Sequence, residues 1–388
     1  MSEQDSMLNE LKAMAKSNVT RRSVLAGAGA VGAGSLLAAC GGGGGSDTDV
    51  RWGNWTLYLD YDSDKKVYPT LEEFTAQTKI AVKYLEDYND NDEFYGKVQG
   101  QLKLKKDIGY DLICPTDWMA ARYIRLGYAQ KLDKANIPNA KNILPALASV
   151  PFDTGRDYSL TWQGIMGGFT WNKEKLPKGV HTLDELFAPA NKGKIEVLTE
   201  LRDTVGVIML AQGVDITKFT ADEYYNALDF LQKKISDGFI RQVKGNDYKE
   251  DLISGDAVAV IGWSGDAFQL AAENDGKFEF AIPESGGTIS ADNFIIPSTV
   301  TAETQPKVEE LINYYYDPVV AAKVAAYVNY ICPVAGAQEA MEQVDPSLVN
   351  NELIFPTAKT QSLLHVFRNL TPAEETELTD AFQKATGN

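Results

Sequence analysis

Short apolar runs that alternate with amphipathic segments fill this chain from residue 50 onward, and that alternation restricts it to α/β architectures. Val50–Trp55 reads as an opening strand. Pro69–Thr78 spaces Leu71 and Phe74 along one helix face and starts with Pro, where a missing N–H costs least. Residues 80–84 read as the next strand. Residues 92–104 read as a helix with Phe94, Val98 and Leu102 at four-residue spacing, and 110–114 as a buried strand stopped by Pro115. Three such βα steps build one half of an open, mostly parallel sheet.

Ser159–Asn172 differs, with two extended stretches joined by Gly164, Gly167 and Gly168, as a crossing between two lobes needs. A second α/β run follows: strand Ile195–Leu198, helices 204–212 and 221–235, and strands 257–262 and 293–296. Residues 306–328 read as a helix interrupted near Pro318. Residues 371–386 read as a helix whose Glu374 and Glu375 suit its positive end. With crossings near 164–168 and 283–292, lobe one is expected over about 50–163 plus 290–345 and lobe two over 167–286 plus 349–388.

The first 39 residues belong to no fold. Thr20-Arg21-Arg22-Ser23-Val24-Leu25 is a twin-arginine signature, and the Gly/Ala-rich apolar run behind it ends in Leu37-Ala38-Ala39-Cys40, the pattern cut by a lipoprotein signal peptidase. That run, from Leu25 to Ala39, is shorter than the roughly 20 residues a spanning helix needs. Cys40 is therefore expected to carry lipid, with 40–49 as a flexible Gly-rich tether. The protein is expected to be exported and held at the outer face of the cytoplasmic membrane by lipid alone.

About 349 residues remain after cleavage, more than one core usually holds, so two lobes are expected. Residues 1–39 carry four Lys/Arg and three Asp/Glu, so removing them shifts the net charge from −17 to about −18. Such acidity argues against nucleic acid and anionic lipid as partners and suits cations. Cys114 and Cys332 stand in similar Ile-Cys-Pro contexts and read as buried small hydrophobes rather than a disulfide, although export permits one. His181 and His365 have no metal-site spacing, and no phosphate loop, Gly-x-Ser-x-Gly elbow or Cys/His nucleophile motif is present. Neither cofactor, metal nor catalysis is expected.

Six ordered signatures carry a resemblance. They are Trp55-Thr56-Leu57-Tyr58; 110–116 ending Cys114-Pro115-Thr116; Lys192-Gly193-Lys194 with Thr199-Glu200-Leu201-Arg202-Asp203; Gly262-Trp263-Ser264-Gly265-Asp266; Glu284-Ser285-Gly286-Gly287 before Asp292; and Asn329-Tyr330 before Pro333. Together they resemble the periplasmic spermidine/putrescine-binding proteins of ABC importers over nearly the whole chain beyond residue 50. The resemblance implies a two-lobe periplasmic-binding-protein-like α/β fold (type II), with a polyamine in the inter-lobe cleft. It also implies a monomer that hands its ligand to permease and ATPase subunits. Residue by residue, it carries ligand-binding roles to Trp55, Thr56, Tyr58, Thr116, Trp118, Glu200, Asp203, Trp263, Asp266, Asp292 and Tyr330. Two positions depart from the family. Ser290 stands where spermidine-specific members have a second stacking tryptophan, which favours putrescine, and Arg368 falls near a glutamine that contacts an amine.

The residue types suit that cargo. Each ammonium of a polyamine loses hydration that carboxylates must replace, and its methylenes need flat apolar walls. Trp and Tyr faces supply the walls and attract cations by about 0.5–2 kcal/mol. Other readings of the same residues stay open. Trp55 and Trp263 fit a core. Glu200 and Asp203 fit helix capping or pairing with Arg202. A zwitterionic or anionic solute held by Arg202 or Arg368, and a secreted hydrolase using Glu200, Asp203 and Asp292, are the alternative functions.

Overall fold

The mixed sheet of the computed structural model, which describes residues 48–387, has the strand order β2-β1-β3-β9-β4-β7-β5-β6. The strands are β1 (Val50–Trp55), β2 (Val82–Tyr88), β3 (Leu112–Ile113), β4 (Ser159–Asn172), β5 (Ile195–Leu198), β6 (Ile240–Lys244), β7 (Ala259–Trp263), β8 (Phe278–Ala281), β9 (Gly287–Ile295) and β10 (Leu364–His365). The expected signal peptide, the lipidation site Cys40 and most of the tether lie outside the described residues. Among the described residues no helix is long and apolar enough to cross a membrane.

Two parallel triplets flank two long antiparallel strands. β2-β1-β3 form one triplet and β7-β5-β6 the other. β4 and β9 run side by side between them, antiparallel, from Ser159↔Ile295 to Gly167↔Thr288. Each triplet has its own apolar core. The first gathers buried residues from Val50 to Ile165 and again from Phe294 to Ile354, centred on Trp52, whose ring meets Tyr84, Trp162, Phe294 and Tyr315 within 5.7 Å. The second gathers Phe169 to Ile261 and again Phe367 to Phe382. Each large apolar side chain so buried contributes about 1.5–3 kcal/mol. These two cores define two lobes joined by β4 and β9, and the α/β two-lobe class follows. In the turn over residues 62–67, Asp62 accepts from the N–H groups of Asp64 and Lys65.

Several expected elements shift for identifiable reasons. The second strand occupies Val82–Tyr88 rather than 80–84, because it is an edge strand whose exposed Lys83, Glu86 and Asp87 dilute its apolar signal. The third shrinks to Leu112–Ile113. β4 is one continuous buried strand, not two, and its single register irregularity falls between Thr161 and Gln163 rather than at a glycine. Its glycines serve close approach instead. A Cβ on Gly164 would crowd Ile331, and one on Gly167 would collide with the Thr288 hydroxyl and the Asp203 carboxylate. β9 reaches back to Gly287, longer than 293–296, because its polar residues Ser290 and Asp292 face the cleft instead of breaking the strand.

The interrupted helix resolves into Gln305–Tyr315 and Pro318–Val328, the latter capped by Asp317. Pro372–Thr386 opens with a capping box between Thr371 and Glu374. Cys114 and Cys332 are both buried free thiols, and Cys114 Sγ accepts from Trp52 Nε1 at 3.2 Å.

Candidate functional site

The carboxyl ends of β1, β2, β3, β5, β6 and β7 converge on one cleft, as expected for ligand sites of open α/β sheets. Its volume, including space open to solvent, is about 550 Å³. Trp55 ends β1 and is fixed there by donating Nε1–H to the Cys114 carbonyl at 2.9 Å. Leu57 follows with φ 61°, a left-handed conformation uncommon for leucine, and the turn presents Thr56 and Tyr58 to the cleft. Trp55 and Trp263 stand 6.5 Å apart at 67°, and Tyr58 meets Tyr330 edge-on at 5.0 Å. These four rings form the apolar walls.

Thr116 occupies the N-cap of helix Asp117–Arg125 but makes no side-chain cap bond. Its hydroxyl donates to Asp292 Oδ1 at 2.6 Å and accepts from Asn91 Nδ2 at 2.9 Å, so local helix stabilisation is given up for the cleft. Asp117 braces the same stretch of β9, accepting from the Ala291 N–H and Asn293 Nδ2. Asp292 is 2% exposed. Burial pushes its carboxyl up to about 8, with Asp117 and Asp203 adding and the hydroxyls of Thr116 and Tyr58 opposing. Among the described residues the Tyr58 O–H makes no hydrogen bond of normal geometry, although it lies close enough to favour the ionised Asp292.

The second lobe supplies three acids. Glu200 caps helix Leu201–Ala211, accepting from the Arg202 N–H, and takes Trp118 Nε1–H at 2.9 Å from across the cleft. Burial raises it to about 7, against the pull of the Arg202 guanidinium. Asp203, in the first turn of that helix, accepts from Trp263 Nε1 at 2.8 Å and from the Thr288 hydroxyl at 2.5 Å, and burial raises it too. Asp266 follows β7 and accepts from the hydroxyls of Tyr248 and Tyr330 and from the Lys249 ammonium.

Ten of the eleven residues singled out by the sequence line this cleft. Trp118 does not. Its half-buried ring lies 4.0 Å from the Arg202 guanidinium carbon and 5.0 Å from that of Arg122, so it orients Glu200 rather than lining the cavity. Arg368 is also absent from the cleft: it pairs with Glu374 at 2.7 Å and stacks on Phe219. Ser290 lines the cavity. Asn89, Asp90, Asn91, Ile165 and Asn246 also line it without having been singled out. Asp90 caps helix Asn91–Lys103 and accepts from Thr199 Oγ1 of the other lobe at 2.9 Å. A strand drawn to its true end at Tyr88 exposes that signal, an Asn-Asp pair just past a strand. The lobes also touch where Gln269 donates to the Leu57 carbonyl and where Arg122 and Arg125 pair with Glu375. Among the described residues no His/Cys/Asp/Glu group has metal-ligand geometry.

The family model for bacterial extracellular solute-binding proteins matches residues 70–355. Over 312 residues the chain is 28% identical to the spermidine/putrescine-binding periplasmic protein of Escherichia coli (strain K12), an alignment covering 79% of this chain and 85% of that relative. It is 25% identical over 350 residues to the putrescine-binding periplasmic protein PotF of the same organism, covering 85% and 89%. Among solved structures, the spermidine/putrescine ABC transporter substrate-binding protein PotD of Streptococcus pneumoniae superposes with a TM-score of 0.69 at 22% identity, over 87% of this chain and 98% of that one. That last likeness is one of fold.

Proposed function

This chain belongs to the family of bacterial extracellular solute-binding proteins, and we propose that the solute it captures is a polyamine, putrescine and/or spermidine, for delivery to the permease and ATPase subunits of an ABC importer. The observation that carries this reading is the pair of buried carboxylates, Asp203 and Asp292, held by neutral donors alone between the faces of Trp55, Trp263, Tyr58 and Tyr330. Burial raises the proton affinity of both, so the ionised form of each gains from a cation brought into the cleft. Thr56 and Thr116 add hydroxyls, Glu200 and Asp266 border the cavity, and Trp118 holds Glu200. No cofactor or catalytic step enters the proposal, and it takes the protein to act as a monomer.

The lobes proposed are about 50–163 plus 290–345 and 167–286 plus the tail. The packing of Val349, Ile354 and Phe355 on the first core supports assigning 349–355 to lobe one rather than lobe two. Carboxylates then come from both lobes, Asp292 from the first and Asp203 from the second, so binding favours the closed arrangement.

Isothermal titration of the soluble domain with putrescine and with spermidine is the direct test. Saturable heat with at least one amine, absent with neutral sugars and with acidic amino acids, is the expected result. No heat or melting shift with either amine at millimolar concentration would leave the family intact and remove the ligand.

The cellular location proposed is the outer face of the cytoplasmic membrane, with lipid on Cys40 after twin-arginine export. Replacing Arg21 and Arg22 by Lys is expected to leave unprocessed precursor in the cytoplasm, and Cys40→Ala to release the protein or block cleavage. Normal anchoring of both variants would rule this out.

A further inference from the structure

Asp90, Glu200, Asp203, Asp266 and Asp292 all face the cleft, yet three of them already take a cation or two backbone N–H groups directly from the chain. Asp90 accepts two backbone N–H groups at the positive end of its helix. Glu200 pairs with Arg202 at 3.3 Å. Asp266 pairs with Lys249: its ammonium lies 3.1 Å from Oδ1, the oxygen that also takes the Tyr330 hydroxyl at 3.0 Å, while Tyr248 donates to Oδ2 at 2.8 Å. The side chains of Lys249 and Asp266 are only 12% and 5% exposed, so water screens this pair weakly. Lys249 sits in the first turn of helix Tyr248–Ser254, where a cation opposes the helix dipole. Helix stability therefore gives no reason for a lysine there, and its contact with Asp266 does.

We propose that Lys249 is a built-in ammonium that closes the Asp266 end of the cleft and makes the site selective for a diamine over a triamine. This rests on the polyamine reading above. Asp203 and Asp292, the two carboxylates held only by neutral side-chain donors, match the two charges of a diamine. A longer polyamine brings a further ammonium toward Asp266, meets the Lys249 charge in a poorly solvated space, and must displace it. Lys249 is a positioning residue, acting through Asp266 without touching the ligand.

The test compares putrescine and spermidine affinities, by titration calorimetry, for the wild type, Lys249→Met and Lys249→Arg. The wild type is expected to bind putrescine more tightly than spermidine. Lys249→Met keeps the aliphatic stem, frees Asp266, and is expected to shift the ratio toward spermidine by at least tenfold. Lys249→Arg restores the charge and is expected to keep the wild-type preference. An unchanged ratio in Lys249→Met, or proportional weakening of both amines, overturns the role of Lys249 while leaving polyamine capture standing. A wild type that prefers spermidine overturns it as well, a result that needs no variant to fold. Lys249→Gln replaces Lys249→Met if the latter does not fold. A wild type that binds neither amine removes both readings.

Discussion

Asp292→Asn is expected to weaken putrescine binding at least tenfold and, at the same time, to raise the melting temperature of the ligand-free protein at pH 8. The first effect follows from removing the carboxylate partner of a largely desolvated ammonium, which costs on the order of 2–5 kcal/mol. The second follows from the environment of Asp292. At 2% exposure, with Asp117 and Asp203 nearby, its ionised form is disfavoured, and its carboxyl holds a proton to about 8. An asparagine of the same shape carries no charge to bury, and its carbonyl still accepts from the Thr116 hydroxyl. Calorimetric titration and thermal melting of the same preparation check both. Opposite signs mark a residue kept for binding at a cost to stability. A fall in both quantities would mean that Asp292 mainly holds β9 in place, and unchanged affinity would remove it from the site.

Putrescine affinity is expected to fall by tenfold or more between pH 8 and pH 6, while the ligand-free protein becomes more stable over the same interval. A cation binds the ionised carboxylates, so each group contributes up to about tenfold per pH unit below its own pKa. Asp292 loses its charge on passing below about 8, whereas Glu200, which loses its own below about 7, is paired with Arg202 and enters only through stability. The amines themselves, which titrate near the lysine value of about 10.4, stay charged throughout. The stability effect has the opposite direction. Unfolded Asp and Glu titrate near about 3.9 and 4.3, so between there and 7–8 the folded chain binds more protons than the unfolded one. Stability from these two groups is therefore present at acidic pH and lost as pH rises through 7 and 8. Glu374 works the other way: Arg368 holds it down to about 2, and its contribution is lost only below about pH 4, outside this window. Titrations at pH 6, 7 and 8 and melting curves at the same values test both halves. An affinity independent of pH would mean that Asp292 does not meet the ligand's charge.

Local periodicity made much of the fold legible. β1, Pro69–Thr78, β4 and β5 fall where the spacing of apolar residues puts them, because a strand or helix face is written in residues two to four apart. Helix boundaries near Thr371 and Pro318 were readable for the same reason, since capping acts within one turn. β2 was misplaced because an edge strand has no second neighbour to bury its polar residues, and with its end went Asn89 and Asp90. The glycines of β4 looked like soft joints. They are instead positions without a Cβ, which lets Thr288 and Asp203 come within reach of the strand.

The sequence by itself determined the α/β class, the order of elements and the interleaving of acids with aromatics, all of which depend on residues near one another along the chain. Only the tertiary structure decided which of the cleft acids make an ion pair among the described residues. Asp266 and Lys249 are separated by 17 residues and meet through the packing of Tyr248 beneath β7. Trp118 is separated by 82 residues from the Glu200 it holds, and Arg368 is turned away to Glu374. Pairing and desolvation are set by distances of about 3 Å through space and by what excludes water, and no spacing along the chain encodes either.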